Sequence, residues 1–231
     1  MNPDIIFNND SQSWQEMVLS VLEKNINDCI LENGQCNIML TGGRSAREFY
    51  RLWSESSFTF QAIHFFFGDE RCVPAEHNDS NYGMVMNILF QNGLPLGCSI
   101  ERMKGEDSDR ESAALSYEEV IPEKIDILLL SMGEDGHVAS LFPGNDFLKP
   151  TNRNVVYVTG GNPSLERLTI TAEYIKKAKN IFVFVCGKKK ANKLREAIIN
   201  SGENVLLPVS IVMSGTFLLD AEAAAVFNGM I

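Results

Sequence analysis

The stretch "IHFFFGDERCVP", residues 63–74, sets three phenylalanines directly before a glycine and three charged residues. An apolar run without polar alternation predicts a strand covered on both faces, as in a parallel sheet. Its abrupt end has two readings. It is either an ordinary strand-to-loop boundary or a buried strand that delivers Asp69, Glu70 and Arg71 to a site. Charged loop residues are commonly just solvated, and for Glu70 that plain reading is the stronger one.

Working outward, strand and helix signals alternate. Residues 4–8 read as an edge strand. Residues 11–32 read as a helix with Trp14, Val18, Val21, Leu22 and Ile26 on one face. Residues 36–40 read as a strand stopped by Thr41-Gly42-Gly43, then a helix over 45–53 with Ser45 as its cap. Further helices are expected at 81–90, capped by Ser80 or Asn81, and at 107–120. The run "IDILLL", 125–130, is a buried strand followed by a Gly-rich turn and a short helix around 137–141. Residues 154–160 read as a strand before a polar loop holding Pro163. The segment 167–178 turns helical near Ala172. A strand at 180–187 precedes a helix at 188–199. Residues 206–212 and 215–220 read as loop and strand before the last helix, "AEAAAVF". This order predicts an α/β fold with a mostly parallel sheet between two helical layers.

Composition bounds the function. A chain of 231 residues suits one large α/β domain. Its 45% hydrophobic and 22% charged content is that of a folded globular protein. The net charge of −10 argues against a general nucleic-acid binder and leaves room for a local basic pocket. Five cysteines, at 29, 36, 72, 98 and 186, show no CxxC spacing and suggest reduced thiols in a cytoplasmic protein. No apolar stretch is long enough to span a membrane, and the N-terminus lacks a signal-peptide pattern.

In open α/β sheets ligands bind beyond the carboxyl ends of the strands. Four segments fall at such positions: "TGGRS" (41–45), "GDER" (68–71), "GEDGH" (133–137) and "GKKKA" (187–191). Each has a plain alternative as a turn, a solvated charge run or a helix start. Their recurrence at the same kind of place is the stronger signal. The 41–45 turn offers backbone N–H groups to an anion, although it is neither a Walker A nor a GxGxxG motif. Arg71 carries a planar fork suited to phosphate or carboxylate. His137 follows a buried strand and suits a general base, with Asp135 two residues away. His64 reads as a satisfied strand residue and His77 as a solvated one. No ligand spacing for zinc surrounds His137. GxSxG is absent, which argues against a serine hydrolase. Arg167 and the lysines at 188–190 complete a basic set around a phosphorylated small molecule.

These motifs, with "GDERCVPAEHNDSNYGM" (68–84), "GEDGHVASLFPG" (133–144) and "RLTIT" (167–171), resemble the glucosamine-6-phosphate isomerase/6-phosphogluconolactonase family over nearly the whole chain. The resemblance implies one Rossmann-like α/β/α domain over 1–231, no metal or organic cofactor, and a phosphosugar substrate. It implies that His137 is the base, with Asp135, Asp69 and Arg71 beside it. It places substrate phosphate on Gly42, Gly43, Arg44, Ser45, Arg167 and Lys190, rather than on Lys188 or Lys189. Deaminases of the family carry Asn-Glu-Pro after the DGH motif. The stretch "SLFPG" here resembles the lactonase branch. Ser131 stands where the family often has glycine, which implies a slightly altered turn.

The expected reaction is hydrolysis of 6-phospho-D-glucono-1,5-lactone to 6-phospho-D-gluconate, the second step of the oxidative pentose phosphate pathway. His137 would activate water, either Asp135 or Asp69 would support it, and Arg71 or backbone amides would stabilise the oxyanion. Two alternatives stand beside it: a glucosamine-6-phosphate deaminase/isomerase, and a non-catalytic phosphosugar-binding protein. Nucleic acid and membrane are not expected partners. The protein is expected as a monomer or small homo-oligomer.

Overall fold

The computed structural model of the chain describes residues 3–8, 11–149, 151–161, 165–200 and 207–227. Pro163 and Leu206, assigned above to loops, lie outside these residues. Ten strands are described: β1 (Asp4–Phe7), β2 (Cys36–Leu40), β3 (Ile63–Phe67), β4 (Asp69–Arg71), β5 (Ser99–Ile100), β6 (Ile127–Ser131), β7 (Val155–Gly160), β8 (Leu165–Ile170), β9 (Asn180–Val185) and β10 (Thr216–Leu219). Helices are α1 (Ser11–Asn33), α2 (Arg44–Glu55), α3 (Asn81–Ile88), α4 (Arg110–Val120), α5 (Ala172–Ile175), α6 (Lys188–Ile199) and α7 (Ala221–Ala224). None of the described helices is long and apolar enough to cross a membrane.

Seven strands form one parallel sheet in the order β1-β10-β9-β6-β2-β3-β5. The apolar runs explain its double burial. Successive side chains alternate faces, so Phe65 and Phe67 join one core while Phe66 joins the other. The first core is closed by α1 to α3, with Trp14, Val18, Leu22 and Ile26 of α1 buried at helical spacing. Val21, expected on that face, is only partly buried. The second core lies under α4 to α7. This is the α/β/α layering the sequence predicts, with the topology of a doubly wound Rossmann-like sheet. Strand order reverses between β2 and β6, so the two chain halves part there.

A second sheet was not foreseen. β4, β8 and β7 form a three-stranded antiparallel layer. Gly68 joins the two sheets: its N–H donates to Leu40 O at 3.0 Å and its carbonyl accepts from Ile170 N at 2.9 Å. The chain therefore changes sheets at Gly68, and "DER" is a strand rather than a solvated loop. Two smaller expectations also fail. The short helix around 137–141 is replaced by turns and isolated bridges from Val138 to Met132 and Leu141. Ser45 does not cap α2. Gly43 occupies the cap position at φ 96°, a conformation that favours glycine, and no side chain caps the first turn.

Candidate active site

Consecutive neighbours in the sheet carry the four motifs. TGGRS follows β2, GDER follows β3, GEDGH follows β6 and GKKKA follows β9, so all open onto one edge. The centre of that edge is the reversal point between β2 and β6. There Ser131 N donates to Thr41 Oγ1 at 3.2 Å, tying the two turns together. Tyr50 grips Thr41 from below, its hydroxyl accepting from Thr41 N and donating to Thr41 O.

Helices at this edge fall into two groups. Ser80, Asp109, Thr171 and Asp220 cap α3, α4, α5 and α7 with their side chains. By contrast, α2 and α6 each begin on a glycine with positive φ and have no side-chain cap. First-turn N–H groups left without a cap are an anion's natural partners. Both helix starts line a cavity of about 610 Å³ with Arg44, Ser45, Glu134, Cys186, Lys190 and Asp220 on its walls. Burial chiefly lowers the Lys190 pKa from the usual lysine range, and Arg44 adds to the fall. Lys188 and Lys189 are exposed, and Lys189 pairs with Glu134 at 3.2 Å.

The imidazole stands on the same turn as Glu134 of the cavity wall. His137 Nδ1 lies 2.6 Å from Asp135 Oδ1, and the same oxygen accepts from His137 N at 3.1 Å. Burial would raise the Asp135 carboxyl, but the hydrogen bond and charge of His137 outweigh it and hold the acid below its usual range. With Nδ1 so engaged, Nε2 is the ring nitrogen left for substrate or water. Gly133 makes the turn possible, since a Cβ there would sit 2.1 Å from His137 Nδ1. The imidazole packs on Phe142, ring centres 4.7 Å apart, and the Arg167 guanidinium lies 5.4 Å from the centre of the same ring.

The other carboxylate has different partners. Asp69 is buried and accepts from Ser140 Oγ at 2.6 Å and Asn81 Nδ2 at 3.1 Å. Of the two candidates, Asp135 is therefore the one hydrogen-bonded to His137. Asp69 instead ties β4 to the loop after His137 and to α3.

Arg71 and Arg167 face each other in the register of β4 and β8. Like charges directly opposed across strands destabilise a sheet. Arg71 donates to Asp79 O at 2.7 Å, but the Nε atoms of both arginines are buried without a hydrogen-bond partner. Burial is the main cause that lowers the Arg167 pKa, and Arg71 contributes. Two opposed arginines with unpaired Nε donors suit an anion. Thus the cations fall into two pairs, Arg71 with Arg167 and Arg44 with Lys190.

Sequence reasoning missed Glu70. This carboxylate is 2% exposed and accepts from the backbone N–H of Arg71, Asn81 and Tyr82 and from Ser80 Oγ, all between 2.7 and 3.0 Å. It orders the start of α3 and the peptide of Arg71 at once. Asn81 and Ser140 were also not singled out for Asp69, nor Phe142 for the histidine. The signal for Glu70 was its place inside "GDER", at the carboxyl end of a buried strand.

An open α/β sheet that carries an imidazole–carboxylate pair and two uncapped helix starts on one edge is suited to small anions and to proton transfer. Comparison with known proteins narrows this class. The sequence profile of glucosamine-6-phosphate isomerases/6-phosphogluconolactonase matches residues 9–219, and the chain belongs to that family. The 6-phosphogluconolactonase of Synechocystis is 30% identical over 95% of both chains. That of Chlamydia pneumoniae is 33% identical over 80% of this chain and 74% of its own. Among solved structures, the 6-phosphogluconolactonase of Trypanosoma cruzi superposes with a TM-score of 0.83 at 26% identity, covering 97% of each chain. The Thermotoga maritima enzyme gives 0.82 at 25%, covering 94% of this chain and 99% of its own.

Proposed function

We propose that this chain is a lactone hydrolase that converts 6-phospho-D-glucono-1,5-lactone to 6-phospho-D-gluconate, the second step of the oxidative pentose phosphate pathway. The observation that carries the mechanism is the 2.6 Å contact of Asp135 with His137 Nδ1, which leaves Nε2 for water. His137 takes a proton from water as the oxygen attacks C1. The carbonyl oxygen gains charge, which Arg71 or backbone amides stabilise. When the tetrahedral intermediate collapses, the C1–ring oxygen bond breaks and the imidazolium returns its proton to that oxygen. Asp135 holds the imidazole in the right tautomer and orientation. Asp69 positions the loop through Ser140 rather than touching the base.

Phosphate is held by the amides of the 42–45 turn with Arg44 and Ser45, by Lys190, and by Arg167 from the far side. Binding energy at this remote group fixes C1 beside the base. Leu141 and Phe142 fill the place where the deaminase pattern puts a glutamate, which favours the lactonase over the deaminase reading. We read residues 1–231 as one domain. We place the enzyme in the cytoplasm as a monomer or small homo-oligomer.

The test is hydrolysis of the lactone, generated in situ, against its spontaneous opening. Wild type accelerates the loss, and His137→Asn lowers kcat by a factor on the order of 10² to 10⁴. Wild-type loss at the spontaneous rate would overturn the reaction. A fully active variant would overturn the base.

A further inference from the structure

Two thiols and a carboxylate meet at the opposite edge of the large sheet. Cys29 lies in the last turns of α1, Cys36 opens β2, and Asp126 directly precedes β6. One ligand atom from each, two Sγ and a carboxylate oxygen, lies within 4.8 Å of the others. Both cysteines are buried, and Asp126 is partly so. Asp126 Oδ2 is fixed by Asn37, whose backbone N donates at 2.9 Å and whose Nδ2 donates at 3.1 Å. Asn33 Nδ2 donates to Cys29 Sγ at 3.5 Å, and Cys29 Sγ contacts Gln35 O at 3.5 Å.

Three potential ligand atoms converge in this buried corner, and a cation held there would take both thiols as thiolates. We propose that Cys29, Cys36 and Asp126 bind a borderline-soft divalent cation, zinc foremost, which ties α1 to β2 and β6. Zinc takes thiolate sulfur at about 2.3 Å and carboxylate oxygen at about 2.0–2.2 Å, so the three atoms need close by only modest shifts. Gln35 O or a water supplies a fourth donor. Thiolate donors exclude magnesium and calcium. Asn33 and Asn37 act as the outer hydrogen bonds that orient such ligands. On binding, two S–H bonds lose their protons to solvent, two Zn–S bonds form, and nothing is oxidised or reduced. The role is structural. The five residues of β2, at about 3.3 Å each, separate this cluster from the catalytic edge by roughly 16 Å.

The experiment uses the full chain, stripped with a chelator and titrated with zinc sulfate against a chromophoric competitor. Melting temperature is followed in parallel, and cobalt(II) serves as a spectroscopic probe. Wild type binds one zinc per chain, melts higher as zinc is added, and shows a thiolate-to-cobalt charge-transfer band. Asp126→Asn and Cys29→Ala, each checked for native circular dichroism, weaken zinc at least about tenfold, and Cys29→Ala weakens the band. Lactone hydrolysis by folded wild type is the same with and without zinc. Equal zinc affinity in wild type and Asp126→Asn would overturn the site. So would a melting temperature indifferent to zinc, or a Cys29–Cys36 disulfide in the purified protein.

Discussion

The seven-stranded and three-stranded sheets meet at Gly68, and the strands on either side of it, β3 and β4, bury opposite kinds of side chain. In the large sheet Phe65, Phe66 and Phe67 fill cores on two faces. One glycine later, Asp69 and Glu70 are buried at strand positions, and Arg71 stands opposite Arg167. β3 is held by apolar area, which is non-directional and tolerant of exchange. β4 is held by directed hydrogen bonds to two carboxylates and keeps two like charges opposed, while β8 and β7 of the same sheet bury Leu168, Ile170 and Val155 in the second core. Rigidity comes from the one and chemical readiness from the other.

Substitutions separate the two contributions. The largest expected effect is Phe65→Ala, which destabilises by about 3–5 kcal/mol through its cavity. At temperatures where the variant stays folded, KM is unchanged; a raised KM would break the division of labour. Glu70→Ala comes next. It leaves buried donors unpaired and costs about 2–4 kcal/mol, read from denaturant midpoints. Unlike Phe65→Ala, it also raises KM in the folded variant, because Arg71 and the start of α3 lose their anchor. Arg167→Ala sharpens the contrast further. KM rises about 10- to 100-fold as a charged hydrogen bond is lost. Thermal stability holds or rises slightly, since the opposed charge is gone. A stable protein with wild-type KM would remove Arg167 from the phosphate site.

The smallest effect is a pH dependence. Burial lowers the Lys190 pKa. Lys190 is charged below that value and neutral above it, so phosphate affinity weakens as pH climbs toward the ordinary lysine range. KM therefore begins to rise at a lower pH than an exposed lysine would give. Lys190→Arg, charged throughout, flattens this alkaline rise. A rise that survives in the arginine variant would assign it to another group.

The large sheet was legible because continuous apolar runs at 36–40, 63–67, 125–130 and 180–187 have few other uses than double-sided strands. The small sheet was not. "DER" looks solvated by composition, and only its antiparallel pairing with "RLT", about a hundred residues later, turns it inward. No local pattern encodes such a pairing. The same limit applies to caps. Ser80 caps α3 as its type suggests, while Ser45 does not cap α2 because Gly43 starts the helix earlier. Residue types named the histidine, the arginines and the glycine turn. The choice between Asp135 and Asp69 needed distances, since both are near His137 in reading and only one is hydrogen-bonded to it.

Phe142 bears on the proposed substrate choice. Its ring touches the imidazole on one contact and the Arg167 guanidinium on another, and Gly160 leaves it space by lacking a Cβ that would lie 2.3 Å from the ring. The aromatic disc is thus a gauge block between an imidazole and a guanidinium. If His137 is the base and Arg167 holds phosphate, as proposed, it sets the calibre of the molecule that reaches both at once. A shorter ester, or one with its phosphate on a nearer carbon, would then satisfy one jaw and leave the other empty.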